Sequence, residues 1–295
     1  MSGVFLSIIV CTRNRADELT GCLPALASQA KEFSDVEVVV VDNGSTDSTR
    51  GVVGRASAES GFTLRYAYHG EPGLCRARNH GRDVARGRVL AYVDDDVRVG
   101  PAWIKQVREH FLARKSDCLA GRVKVDVEGE LPTWFPKDLL WILGETTFGD
   151  RVRRLSFPLH PQGNNFAVTK EVFDTAGGFD PKITLYGDET EFFRRVGQHD
   201  FTTLYDPGVV VTQSIPAHRL SQKALGHKAY IWGRGSAMVW MLASPNTLRR
   251  AAKTVEYMLR AVYVGCRWCL SPRFGRYFTF WHNCGYVRQF ISGIK

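Results

Sequence analysis

Four short runs dense in Val, Ile, Leu and Tyr, at residues 4–11, 36–41, 63–68 and 88–93, alternate with four segments carrying apolar residues at helical spacing, 16–29, 47–60, 74–85 and 102–115. Ser45 and Thr46 ahead of Asp47 mark a helix start. Strands separated by helices predict a mainly parallel sheet with helices on both faces. Such a sheet takes ligands at the carboxyl ends of its strands. Three polar clusters fall there: Thr12-Arg13-Asn14-Arg15, Asp42-Asn43-Gly44-Ser45 and Asp94-Asp95-Asp96.

The 295 residues, 44% of them hydrophobic, suffice for one large core plus an appendage. Residues 127–148 are rich in Trp, Pro and Gly and read as a loop over the sheet. A strand at 165–168, a helix at 169–176, a helix opening near Asp188 and a strand at 209–212 follow. Residues 4–11 are apolar without a basic stretch before them or a cleavage site after them, so they read as a buried strand and not a signal peptide. No run reaches the roughly 18 apolar residues of a membrane span. Seven cysteines without disulfide spacing favour a cytoplasmic setting.

The acidic run carries the chemistry. Asp94 and Asp96, two apart, point the same way on an extended segment. Carboxylates at a strand end suit Mg²⁺ or Mn²⁺, which share their remaining positions with substrate phosphates. A solvated acidic turn is the competing reading, and the apolar run Val89-Leu90-Ala91-Tyr92-Val93 ahead of the acids weighs against it.

Further stretches join this run in one order along the chain: Ser7-Ile8-Ile9-Val10-Cys11-Thr12-Arg13-Asn14-Arg15, Val41-Asp42-Asn43-Gly44-Ser45-Thr46-Asp47, Gly73-Leu74-Cys75-Arg76-Ala77-Arg78-Asn79, Ala85-Arg86-Gly87, Gly163-Asn164-Asn165, Gly177-Gly178-Phe179-Asp180 and Gly187-Asp188-Glu189-Thr190-Glu191. Together they resemble the family 2 glycosyltransferases of the GT-A fold, over about residues 4–240. The resemblance implies an α/β fold of GT-A type: a domain at 1–240, with a nucleotide-binding half at 1–125 and an acceptor-binding half at 126–240; beyond it, the residue pattern at 241–295 reads as a helical, basic and aromatic extension. It implies an inverting transfer from a nucleotide-sugar donor, a UDP-sugar for preference, to a glycan or lipid-linked acceptor. By resemblance Thr12, Arg13, Asn14, Asp42, Gly73, Arg78, Asp94 and Asp95 hold the donor, and Asp94 and Asp96 hold Mg²⁺ or Mn²⁺. Asn164, Asn165 and Trp141 face the acceptor, and Arg219 the diphosphate. Glu189, with Asp188 beside it, takes the place of the general base that a sugar hydroxyl needs.

Two departures from the family pattern stand out. The acids at 188–189 read Asp-Glu where the family has Glu-Asp. Gln213 stands where many members carry a metal-binding His, and an amide carbonyl is a weaker ligand than imidazole for a transition metal. These motivate a rival of another class: a catalytically impaired donor-binding or membrane scaffold protein. A nucleotidyltransferase would need a Gly-rich, Arg-bearing loop after the first strand, which Cys11–Arg15 lacks.

The net charge of +9 sits wholly in the last quarter, where residues 219–295 hold 13 Lys and Arg against Glu256 alone, with 13 aromatics. As a helix, residues 247–270 place Leu248, Ala251, Ala252, Val255, Met258, Leu259, Val262 and Cys266 on one face, beside Arg249, Arg250, Lys253, Arg260 and Arg267. That suits a peripheral site on the inner face of an anionic membrane, supported by Phe278, Phe280, Trp281, Tyr286 and Phe290, or equally a helix packed on a core or in a dimer. No nucleic-acid motif accompanies the charge, so nucleic acid is not an expected partner. Cys266, Cys269, His282 and Cys284 offer zinc-ligand residue types in an irregular spacing.

Overall fold

The structure is a computed structural model that describes residues 3–59, 61–244 and 246–293. The chain divides into two compact units, Met1–Asp126 with Gly144–Phe179 and Phe192–Ser214, and Val127–Leu143 with Asp180–Glu191 and Ile215–Lys295.

In the first unit the predicted alternation is present: β1 (Leu6–Thr12), α1 (Ala16–Ala30), β2 (Val36–Asp42), α2 (Thr49–Glu59), β3 (Thr63–Tyr68), α3 (Leu74–Val84), β4 (Val89–Asp94), β5 (Val97–Val99) and α4 (Trp103–Leu112). Then come β6 (Cys118–Val127), β7 (Arg153–Leu155), β8 (Asn165–Thr169), α5 (Lys170–Ala176), α6 (Asp188–Val196), whose second half belongs here, and β9 (Thr203–Ile215). The strands form one sheet in the order β3-β2-β1-β4-β8-β6-β9-β5, with β7 beside β9. The pairs among β3, β2, β1 and β4 are parallel. Beyond β4 the described ladders of β8 with β4 and β6, and of β9 with β5 and β7, are antiparallel. The sheet is thus parallel over the first half of the chain and extended by antiparallel strands that the sequence reading mostly missed. The sequence shows β9 only at 209–212 because Asp206-Pro207-Gly208 has the composition of a turn, yet the chain stays extended through it.

Continuous apolar strands suit a sheet covered on both sides. Ile8, Val10, Val38, Val40, Ala91 and Val93 pack with Leu19, Leu23, Leu26, Trp103, Ile104 and Val107 from α1 and α4. On the opposite face Gly81 of α3 comes so close that a Cβ would lie 2.5 Å from Ile9 and 3.2 Å from Val41. Tyr92 there stacks on Phe166 at 4.9 Å and meets Phe179 edge-on. The one acid inside β2, Glu37, is fully buried and accepts from Ser7, Arg65 and the Arg86 amide, so its charge is met on every side.

His110, buried in α4, sets a pH dependence. Ser116 spends its proton on the Cys118 carbonyl, so the His110 Nε2–H donates to Ser116 Oγ at 2.7 Å. Its Nδ1 is buried without a hydrogen-bond partner among the described residues, and burial, with Lys115 nearby, pushes the imidazole down to about 4. A folded-state pKa below the unfolded one means the unfolded chain binds the extra proton. The stability from neutral His110 is therefore present above about pH 6.5 and lost as pH falls towards 4, at up to about 1.4 kcal/mol per pH unit. Denaturant unfolding at pH 7 and pH 4.5 should show His110→Gln losing less stability on acidification than the unaltered chain; equal losses would exclude this account.

The second unit is helical: short 3₁₀ turns at Lys137–Leu143 and Ala217–Leu220, then α7 (Gln222–Ala243), α8 (Thr247–Leu270) and α9 (Phe274–Ser292). Side-chain oxygens of Ser221 and Asn246 cap the first turns of α7 and α8. Glycines let α7 and α9 meet backbone to backbone: a Cβ on Gly233 would collide with the His282 carbonyl, and one on Gly285 with that of Tyr230. Tyr257 of α8 stacks flat on Tyr286 of α9 at 3.6 Å. Phe278 and Tyr286, enlisted above for a membrane surface, are buried in this packing, whereas Trp281 remains exposed. Arg250 likewise leaves the basic row and turns back to the Ser244 and Met241 carbonyls. No helix among the described residues is long and apolar enough to cross a membrane.

Candidate functional site

The carboxyl ends of β1, β2 and β4 bring the three polar clusters onto one sheet edge, because parallel register places Thr12 beside Asp42 and Cys11 beside Asp94. Asp94 ends β4, and Asp95 and Asp96 form the turn into β5. The three acids therefore differ in surroundings, and the simple picture of an extended segment with alternate side chains ends at Asp94.

Asp95 is 2% exposed. It accepts from the Thr12 hydroxyl at 2.7 Å and from Arg15 Nη1 at 2.5 Å, while Arg15 Nη2 reaches Asp96 at 2.9 Å. Burial pushes Asp95 up to about 7, against the pull of Arg15 and Thr12. Burial acts to lower Arg15 as well, but Asp95, Asp96 and Glu18 outweigh it and hold the guanidinium above its ordinary value. Arg15 is thus the neutralising partner of a carboxyl too buried to ionise comfortably alone. The sequence reading placed Arg15 in the polar cluster without a role; the available signal was a second arginine beside three acids on one sheet edge.

Asp94 projects further into solvent, and its carboxylate lies 3.5 Å from Arg78 Nη2. Arg78 is 3% exposed, donates to the Gly163 carbonyl at 2.8 Å, and covers the Phe179 ring. A Cβ at 163 would lie 2.7 Å from the guanidinium, which explains glycine before Asn164. Next to Arg78, Asn79 uses both ends of its amide on the backbone of Phe179, and Gly178 leaves room for that side chain.

Asp42 is buried and accepts from the Ser45 amide at 2.8 Å and from Tyr66 Oη at 2.7 Å. Burial and Asp42 push the Tyr66 hydroxyl up to about 12, so it stays a donor. Asn14, at φ 51°, joins the first two clusters: its backbone amide donates to Ser45 Oγ, and its side-chain Oδ1 accepts from the Thr46 amide. Left-handed backbone favours Asn there. Asn43, another position without an assigned role, ties the His69 and Glu71 carbonyls to the Gly73 amide, where Gly73 adopts φ 145°. Arg13 is exposed beside Asn14.

Register brings two amides to the acid turn. Val97, next to Asp96, pairs with Gln213, and Val93, next to Asp94, pairs with Asn165. Asn165 spends its whole amide internally, accepting from Trp103 Nε1 and donating to the Arg122 and Val209 carbonyls. It holds the sheet rather than offering a free amide. Asn164 donates to Gln213 Oε1 at 3.1 Å and keeps a buried Oδ1 without a hydrogen-bond partner among the described residues.

In the second unit Asp188 is buried at the start of α6, and Glu189 is partly exposed. Their loop lies on α7: Gly187 has φ 108° and a Cβ there would lie only 2.9 Å from Val239, and a Cβ on Gly235 would strike the Tyr186 carbonyl. Glu191, one turn on, is a buried acid outside the sequence assignments. Trp141 is exposed and packs against Trp232 and Phe278; Arg219 is exposed on its short 3₁₀ turn. Among the described residues no group of three or more His, Cys, Asp or Glu is placed to hold a metal, so Cys266, Cys269, His282 and Cys284 do not converge as zinc ligands.

Comparisons with known proteins identify the family and the fold. Validoxylamine A glucosyltransferase of Streptomyces hygroscopicus subsp. jinggangensis is 39% identical over 104 residues, covering 35% of this chain and 24% of that protein. Glucosyl-dolichyl phosphate glucuronosyltransferase of Haloferax volcanii is 25% identical over 190 residues, 62% of this chain and 58% of its own. The chain therefore spans less than two thirds of either relative. Among solved structures, mannosyltransferase PcManGT of Pyrobaculum calidifontis, in complex with GDP-Man and Mn²⁺, superposes with TM-score 0.65 at 17% identity, covering 98% of this chain and 88% of that one. S. aureus TarS superposes with TM-score 0.57 at 16% identity, covering 80% and 43%. These superpositions establish a GT-A type fold. The model described as "Glycosyl transferase family 2" matches residues 7–177, more than half the chain, which therefore belongs to that family.

Proposed function

We propose that this protein is an inverting glycosyltransferase that moves a sugar from a nucleotide-sugar donor, a UDP-sugar for preference, to a hydroxyl of a glycan or lipid-linked acceptor. The observation that carries the reading is the set Thr12, Arg15, Asp42, Arg78, Asp94, Asp95 and Asp96 on one sheet edge, with its charges already organised by mutual contacts.

Asp42 and the Asn14 turn form the pocket wall for base and ribose. Asp94, Asp96 and the Gln213 amide present only oxygen donors, the set that Mg²⁺ or Mn²⁺ takes while substrate phosphates fill the other positions. Held there, the ion would supply Lewis-acid neutralisation of the departing diphosphate. Glu189 removes the proton from the acceptor hydroxyl as its oxygen bonds to the anomeric carbon. The bond from that carbon to the diphosphate breaks with its electron pair, so the configuration inverts. Glu189 suits this role better than Asp188 because Asp188 is buried. The unmet Asn164 carbonyl suits a sugar hydroxyl.

A panel of nucleotide sugars scored by thermal shift, with and without Mn²⁺, tests the reading: one nucleotide class should raise the melting temperature, and more so with the ion. No shift with any donor would overturn it. Stabilisation without transfer to any of a broad acceptor panel would favour the impaired binding protein instead.

The base also depends on its seat. Gly235→Ala should push the Tyr186 loop off α7 and lower turnover about 100-fold, as a shift near 1 Å in a reacting group does, with donor affinity unchanged. Steady-state kinetics beside donor calorimetry would reveal this; unchanged turnover would refute the seating.

A further inference from the structure

Helix α8 is 24 residues long, about 36 Å, and none of its residues is buried. It packs on α9 through Tyr257, Trp268 and Gly265, which leaves its other side to solvent. That outer side is the apolar one. Leu248 is 81% exposed, Leu259 66%, Val262 64% and Leu270 86%, with Val255 and Tyr263 between them. At 100° per residue these six fall within about 100° of arc, and no charged residue of the helix lies inside it. Arg249, Arg260 and Arg267 form one border of the arc. Glu256, the single acid of residues 219–295, is occupied by Lys253 and Arg260. Arg276 reaches back to the Arg267 and Ser271 carbonyls at the end of α8, and Arg273 adds a further exposed charge.

A helix kept in water turns its apolar stripe inward. This one does the reverse, over a length that excludes a scatter of single exposed side chains. We infer that α8 docks flat on the surface of an anionic phospholipid bilayer, its Leu248–Leu270 face among the acyl-chain boundary and Arg249, Arg260 and Arg267 on lipid phosphates. A lipid surface meets both the apolar arc and the basic border. A second copy of the chain would meet the arc but would bring together two segments of thirteen basic residues against one acid. The inference rests on neither the donor site nor the base.

The test is co-sedimentation of the full chain with phosphatidylcholine vesicles containing about 30% phosphatidylglycerol, beside pure phosphatidylcholine. The chain should bind the anionic vesicles. Leu259→Glu with Val262→Glu should lower binding at least about tenfold with the melting temperature unchanged, since both side chains already face solvent. Changing Arg249, Arg260 and Arg267 together to Gln should lower it about 100-fold on anionic vesicles only, near one kcal/mol per arginine. Failure of the unaltered chain to bind, or binding indifferent to the glutamates or to the loss of the arginines, overturns the inference. A concentration-dependent dimer abolished by the glutamates, without vesicle binding, assigns the face to a second copy.

Discussion

Glu189→Gln is expected to lower turnover by about 10²–10⁴-fold, the range that a positioned general base contributes. The amide matches the carboxylate in size, so α6 and its seat on α7 should survive, and donor affinity should stay near that of the unaltered enzyme. Asp188→Asn tests the alternative. Asp188 is 4% exposed at the helix start, where an acid meets the unsatisfied amides of the first turn. Its replacement should cost melting temperature more than turnover. Rapid-quench kinetics with saturating donor would separate the two, and a Glu189→Gln enzyme of normal rate would move the base to the neighbouring acid.

Asp96→Ala should abolish metal-dependent turnover, a loss on the order of 10³-fold if the ion contributes several kcal/mol to the leaving group. The fold should hold, because Arg15 keeps its contact with Asp95 and Asp95 keeps Thr12. Calorimetric titration of Mn²⁺ in the presence of a nucleoside diphosphate provides a readout independent of catalysis: the heat should vanish in Asp96→Ala. Wild-type Mn²⁺ binding and rate in that variant would remove Asp96 from the metal role. Arg15→Gln makes a useful companion, since losing the guanidinium leaves Asp95 buried without its counter-charge. It should destabilise the turn, lowering the melting temperature while the carboxylates that face the ion remain.

The strands of the parallel half were legible because they are short, apolar and separated by amphipathic segments. β3 and α8 match the boundaries read from sequence, and the other early elements differ by a few residues at their ends. The antiparallel half was less legible. β6 begins buried and ends alternating, β5 and β7 are three residues each, and β9 runs through Asp206-Pro207-Gly208. The two three-residue strands carry no period to detect.

At the candidate site the same division holds. Thr12, Asp42 and the acid run were visible as strand-end polar clusters, because strand ends are where a covered sheet can present polar groups; Arg78, on α3, was legible only through the family resemblance. Arg15 shares a sheet edge with the acids in sequence, but only the fold shows which of them it neutralises, through a 2.5 Å contact with Asp95. Asn164 and Asn165, adjacent in sequence, differ only because sheet register turns one amide into the core and leaves the other with an unmet carbonyl. The α8 helix shows it most plainly. Its periodicity fixed which residues share a face, but whether that face looks inward or outward depends on what packs against the opposite side.

Residue order alone determined the local elements and the family to which the chain belongs, because helix and strand periods and turn chemistry are properties of neighbouring residues. Tertiary structure decided which charges neutralise one another and which apolar face stays in water, because both are set by groups that meet only after each unit has folded.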